Sequence, residues 1–181
     1  TNLESLKLES NLTRQIVILA EEKLGKKGKI DGKKVWLLGD EGKKLEDISK
    51  YLSDKKLDTK IFTFPNDANN GNIVDALDKF DFDDVADIII DATHISENIA
   101  FNEISRVDAK QLIFKNSDAR FLFYKTLNSQ SKRPNQIICL TAIDGAFGYG
   151  DSDSNIVDPS YGAIAGFYKS LRKEWDGVIV K

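Results

Sequence analysis

The chain has 181 residues, enough for one domain with a sizeable core, and its 41% hydrophobic and 30% charged residues are ordinary for a globular protein. No apolar run approaches the roughly 20 residues that span a bilayer, so no membrane association is expected. Its 26 basic and 29 acidic residues nearly cancel, which argues against the broad basic face of a nucleic-acid binder.

Taken in chain order, residues 1–32 read as a polar tail with Leu3, Leu6, Leu8 and Leu12, followed by an extra N-terminal strand at Ile16-Val17-Ile18-Leu19-Ala20. The locally basic run of Lys26, Lys27, Lys29, Lys33 and Lys34 is a solvated loop. Residues 33–181 form the domain proper. A regular alternation begins there: strand 34–39, helix 43–53, strand 59–64, helix 72–80, strand 86–91, helix 96–128, strand 135–142, helix 158–175 and strand 177–181. Ser117 is a candidate cap for a second segment of the long helix, which the pair Asn116-Ser117 would break. Strands apolar on both faces and separated by helices imply βαβ units, and so an open, doubly wound α/β fold around a parallel sheet. All three prolines, Pro65, Pro134 and Pro159, fall at element boundaries. The single cysteine, Cys139, lies in an apolar strand and cannot form an internal disulfide; with no secretory signal, the expected setting is cytoplasmic. A start at Thr1, no Met anywhere and a strand-like Val178-Ile179-Val180-Lys181 at the end together read as a piece of something longer.

Ligands of such sheets bind at the carboxyl ends of the strands, where a first βα turn of the form G-x-G-x-x-G would cradle a pyrophosphate. Here that turn is Gly39-Asp40-Glu41-Gly42. Gly39 and Gly42 are candidate cofactor-binding residues, but the spacing differs, and Asp40 and Glu41 place negative charge where a phosphate would sit. They are expected to act as acidic N-caps of the helix. Asp67, after the second strand, is a candidate ribose-binding acid. Tyr161 opens the last helix as the proton donor of a short-chain reductase would, but Ala165 stands four residues on, where that chemistry needs Lys. Upstream, Ala146-Phe147-Gly148-Tyr149 offers no serine, and Tyr161, Ile164, Ala165, Tyr168, Leu171 and Trp175 form one apolar stripe. The only histidine, His94, is a loop residue with no zinc partners, and Asp151, Asp153, Asn155 and Asp158 lack calcium-loop spacing. An alternative constellation, Asp40, Glu41, Asp91, Thr141 and Lys181, resembles a response-regulator receiver, but the long connections after Asp91 and after Thr141 do not suit one.

The whole pattern resembles the structural half of a ketoreductase domain from modular polyketide synthases and polyunsaturated fatty acid synthases. Four stretches carry the likeness: Arg14-Gln15-Ile16-Val17-Ile18-Leu19, Lys33-Lys34-Val35-Trp36-Leu37-Leu38-Gly39-Asp40, Ile138-Cys139-Leu140-Thr141 with Gly145, and the helix from Asp158-Pro159 through Tyr161-Gly162-Ala163-Ile164-Ala165-Gly166-Phe167-Tyr168-Lys169-Ser170-Leu171 to Glu174-Trp175. Only the last is fairly specific, and Asp176 departs from the Pro usual there. The resemblance implies a truncated, Rossmann-like short-chain reductase fold with no catalytic residue, no cofactor and no metal of its own. It implies as partners the NADPH-binding catalytic half, neighbouring synthase domains and an acyl carrier protein. An active NAD(P)-binding short-chain reductase is the alternative, and a receiver-like domain the second.

Overall fold

The computed structural model describes residues 32–65, 70–94, 105–130, 132–141 and 160–181. Strand β1 (Lys34–Gly39) leads into helix α1 (Lys43–Asp54), strand β2 (Asp58–Thr63), helix α2 (Asn70–Lys79) and strand β3 (Ile88–His94). Helix α3 (Arg106–Ile113) passes through a π-helical turn, Phe114–Asp118, into α4 (Ala119–Asn128). Strand β4 (Gln136–Thr141), helix α5 (Ser160–Glu174) and strand β5 (Ile179–Val180) complete it. All pairings are parallel, in the order β2-β1-β3-β4-β5. The expected doubly wound α/β sheet is the observed one. The expected N-terminal strand at 16–20 lies outside the described residues, as does the acidic cluster at 151–158.

Strand alternation sorts the apolar residues onto two faces. One row runs Trp36, Ile89, Ile137, Val180 across four strands; the next runs Phe62, Leu38, Asp91, Cys139. Helices α2, α4 and α5 cover this face through Ile73 and Leu77, Phe123 and Leu127, and Ile164, Leu171 and Trp175. Trp36 anchors it, with the rings of Phe80 and Phe82 edge-on at 5.0 and 5.6 Å. The opposite face, Val35, Leu37, Ile88, Ile90 and Ala92, packs under α1 through Leu45 and Leu52.

Local chemistry explains the element ends. Leu45, Ile48 and Leu52 give α1 its inward stripe. The helix stops where Lys56 adopts φ 61°, so that the Lys56 and Leu57 amides donate back to the Ser53 and Leu52 carbonyls. At the start of β1, Gly32 has φ 148° and a Cβ there would lie 2.4 Å from Asp87 Cβ, so only glycine fits. Asp87 in turn accepts from the backbone amides of Lys33 and Lys34 at 2.8 and 3.1 Å, which pins the entry to the central strand.

Two expectations are corrected. The long helix is not broken at Asn116-Ser117: the backbone continues through the π turn, and Ser117 Oγ donates to the Ile113 carbonyl at 2.6 Å instead of capping a new segment. His94 is the last residue of β3 and pairs with Thr141, so it ends a strand and does not sit in a loop.

Candidate functional site

Because β1 is flanked by β2 on one side and β3 on the other, the chain reverses its winding between β1 and β3. Ligands of open α/β sheets enter at that point, beyond the strands' carboxyl ends. Gly39 closes β1 there. A Cβ on it would lie 2.4 Å from Leu45 Cδ1, so its role is to let α1 press against the strand end. Gly42 is the N-cap of α1, and its carbonyl accepts from the Leu45 and Glu46 amides. The N-cap position belongs to Gly42 and not to Asp40 or Glu41, which corrects the expectation that the acids would be the N-caps; Asp40 is half-buried and Glu41 exposed in the turn before it. Asp67 lies outside the described residues. Tyr161 sits in the first turn of α5, its side chain outside the described residues, and Ala165 is half-buried one turn on.

What the fold gathers near this point is a different set of residues. Asp91 on β3, Arg120 on α4 and Tyr168 on α5 meet beneath the two helices, and Asp91 and Arg120 are both 0% exposed. Arg120 Nε donates to Asp91 Oδ2 at 2.6 Å and Nη2 to Oδ1 at 3.4 Å. Tyr168 donates to Oδ2 at 2.5 Å; Thr93 donates to Oδ1 through its amide at 3.0 Å and its hydroxyl at 2.6 Å. The Tyr124 and Tyr168 hydroxyls are 3.2 Å apart. Since Tyr168 gives its only hydroxyl proton to Asp91, Tyr124 is the donor in that pair. The Arg120 guanidinium also lies 5.3 Å from the centre of the Phe64 ring, just past β2. Arg120 therefore reaches from β3 to the end of β2, across the end of the intervening β1.

The electrostatics follow from burial. Desolvation alone would lower the Arg120 pKa, but the Asp91 charge and hydrogen bonds outweigh it and leave the guanidinium above its usual range. Burial first, and then the Asp91 charge, push the Tyr124 and Tyr168 hydroxyls well above the ordinary phenol range. The same two causes push the Cys139 thiol up. A tyrosine used as a proton donor has its pKa drawn toward neutrality; Tyr168 moves the other way. The cluster is a neutralised ion pair clothed in hydroxyls, built to stay as it is. Among the described residues no group of three potential metal ligands comes together, and no helix is long and apolar enough to cross a membrane.

Sequence reasoning placed Tyr168 in an apolar stripe and Asp91 in a receiver-like set, and it missed Arg120. The signal was present. Arg120 interrupts the run Ala119-Arg120-Phe121-Leu122-Phe123-Tyr124 on the same helical face as Tyr124 and Leu127, and Asp91 is in phase with inward-facing Ile89.

No protein-family model matches the sequence, and no curated protein matches it. Solved structures do match the backbone. A protein from Escherichia coli K-12 described as an oxidoreductase aligns with a TM-score of 0.54 at 11% identity, over 77% of this chain and 70% of its own. BdcA, solved in complex with NADPH, gives 0.51 at 15% identity over 82% and 68%. A doubly substituted variant of a Serratia marcescens short-chain dehydrogenase/reductase gives 0.50 at 14% identity over 79% and 71%. The fold is a Rossmann-like α/β fold similar to that of these oxidoreductases. At these identities the likeness is one of backbone alone.

Proposed function

We propose that this domain is a non-catalytic, Rossmann-like brace, equivalent to the structural half of a ketoreductase in a polyketide or polyunsaturated fatty acid synthase. Residues 33–181 are the bracing unit, and 1–32 the tail and entering strand. Its partners are the catalytic half, which binds NADPH and reduces a carrier-bound β-ketoacyl chain, the neighbouring synthase domains and the acyl carrier protein, in the cytoplasm. The observation that carries this reading is the cluster itself. Side chains of the protein fill the space beneath α4 and α5 at the carboxyl ends of β2, β1 and β3, and every oxygen of Asp91 is taken by a protein donor. The acidic Gly39-Asp40-Glu41-Gly42 turn supports it, because negative charge before a helix N-terminus opposes a pyrophosphate there. Incubation of the purified chain with NADPH and a β-ketoacyl thioester is expected to give no NADPH oxidation. Turnover that disappears in Tyr161→Phe would overturn the proposal.

An active reductase is the second reading, favoured by the fold shared with NADPH-bound BdcA and by Tyr161 in the first turn of α5. The receiver reading is disfavoured by the burial of Asp91, whose carboxylate faces Arg120 instead of solvent.

A further inference from the structure

A groove of about 610 Å³ runs between the outer sides of α4 and α5, and Tyr124 separates it from the cluster just described. Its floor is aromatic: the Tyr124 ring lies 5.6 Å from Phe167 and 5.8 Å from Trp175, and Phe121, 55% exposed, forms one lip. The other wall is low. Gly166 faces it, and nothing lies within 4 Å of where a Cβ would be. From Gly166 to Glu174 the groove follows helix α5 for about 12 Å at 1.5 Å per residue. Volume, aromatic lining and a few polar groups at one end are the attributes of a small-molecule site.

The polar end has a definite sign. Arg133 is held from below by Trp175, whose ring centre is 5.0 Å away, and from the side by Asn128, to which Nη2 donates at 2.9 Å. A guanidinium carries five N–H donors in a fixed fork, so one bond to Asn128 leaves capacity for a bidentate acceptor. Lys125 lines the same groove with Arg133, against one acid, Glu174. This is a local excess of cations in a chain whose net charge is −3. The last-turn carbonyls of Thr126, Leu127 and Leu171 are already taken by the Ser129, Gln130 and Trp175 amides, which blunts the negative helix ends beside it.

We propose that the groove between α4 and α5 binds an amphipathic monoanion of low molecular weight, an acyl carboxylate whose chain lies along Phe121, Phe167 and Leu171 and whose carboxylate is received by Arg133 with Lys125. This assignment stands apart from the bracing role and requires no chemistry of the domain.

Calorimetric titration of the full chain with decanoate, and with uncharged decanol as comparator, tests it. Decanoate is expected to bind saturably with one site, and decanol at least about tenfold more weakly, since a charge-assisted bidentate pair is lost. Gly166→Leu should abolish decanoate binding while the protein melts at an unchanged or higher temperature, because the added side chain enters open space and leucine favours helix. Arg133→Gln should reduce decanoate to the affinity of decanol. Absence of saturable decanoate binding, equal affinities for the two probes, or unaltered binding by the folded Gly166→Leu variant would each overturn the assignment.

Discussion

The buried Asp91–Arg120 pair makes a quantitative prediction about how this domain is held together. Both side chains are fully excluded from water, and each charge is offset chiefly by the other. Arg120→Met keeps much of the side-chain length but strands the carboxylate. Asp91→Asn keeps an acceptor for Thr93 and Tyr168 but strands the guanidinium. Each single substitution is expected to cost about 3–5 kcal/mol, the range for breaking a buried pair by removing one partner. The double variant leaves no buried charge. It loses the net worth of the hydrogen bonds between the pair, about 1–2 kcal/mol. The double-mutant cycle should therefore show a coupling of about 3 kcal/mol or more, a large part of the 5–15 kcal/mol that stabilises a typical domain. Urea unfolding of the four proteins, followed by far-ultraviolet circular dichroism, measures it. If a single variant is already unfolded in water while the double variant is folded, the coupling is bounded from below and the reasoning holds. Additivity within about 0.5 kcal/mol would refute it.

Two further outcomes follow from local geometry. Lys56 holds φ 61°, a conformation costing a side-chain-bearing residue about 1 kcal/mol, so Lys56→Gly should raise stability by roughly 0.5 kcal/mol in the same unfolding assay; a loss would show that the turn after α1 is held by something other than backbone geometry. Asp87 is held below its ordinary carboxylate pKa of 3.8, chiefly by the amide of Lys34 and then that of Lys33. A lowered folded-state pKa means that its contribution is fully present above the unfolded value and fades as pH falls through the folded one. Asp87→Asn should thus weaken the domain at neutral pH and flatten the acid side of its stability profile below about pH 4, and an unchanged slope there would exclude the clasp as the cause.

Much of this fold is written in local sequence. The runs Val35-Trp36-Leu37-Leu38 and Ile88-Ile89-Ile90 have no polar alternation, so both faces must be covered, and a parallel sheet between helices follows. Element ends were less legible. β3 continues through Thr93 and His94 because pairing with β4 extends it past the apolar run, and that partner is distant in sequence. Asn116-Ser117 looks like a break, since both residues favour turns. In the fold, Ser117 bonds its own helix, and α3, the π turn and α4 stay continuous. The central cluster was least legible because it is assembled from long range: Arg120 is 29 residues from Asp91 and Tyr168 is 77. Apolar periodicity identifies Tyr168 as inward-facing, which it is, but a stripe does not show where a hydroxyl points. The acidic turn at Asp40-Glu41 was legible as sequence but not as geometry, for Gly42 caps the helix that the acids were expected to cap.

The central proposal is that this Rossmann-like domain braces a catalytic partner and does not itself hold a dinucleotide. Titration of the purified full chain with NADPH by isothermal calorimetry tests that most directly. No saturable heat is expected up to millimolar NADPH. A single-site isotherm with a micromolar Kd would contradict it.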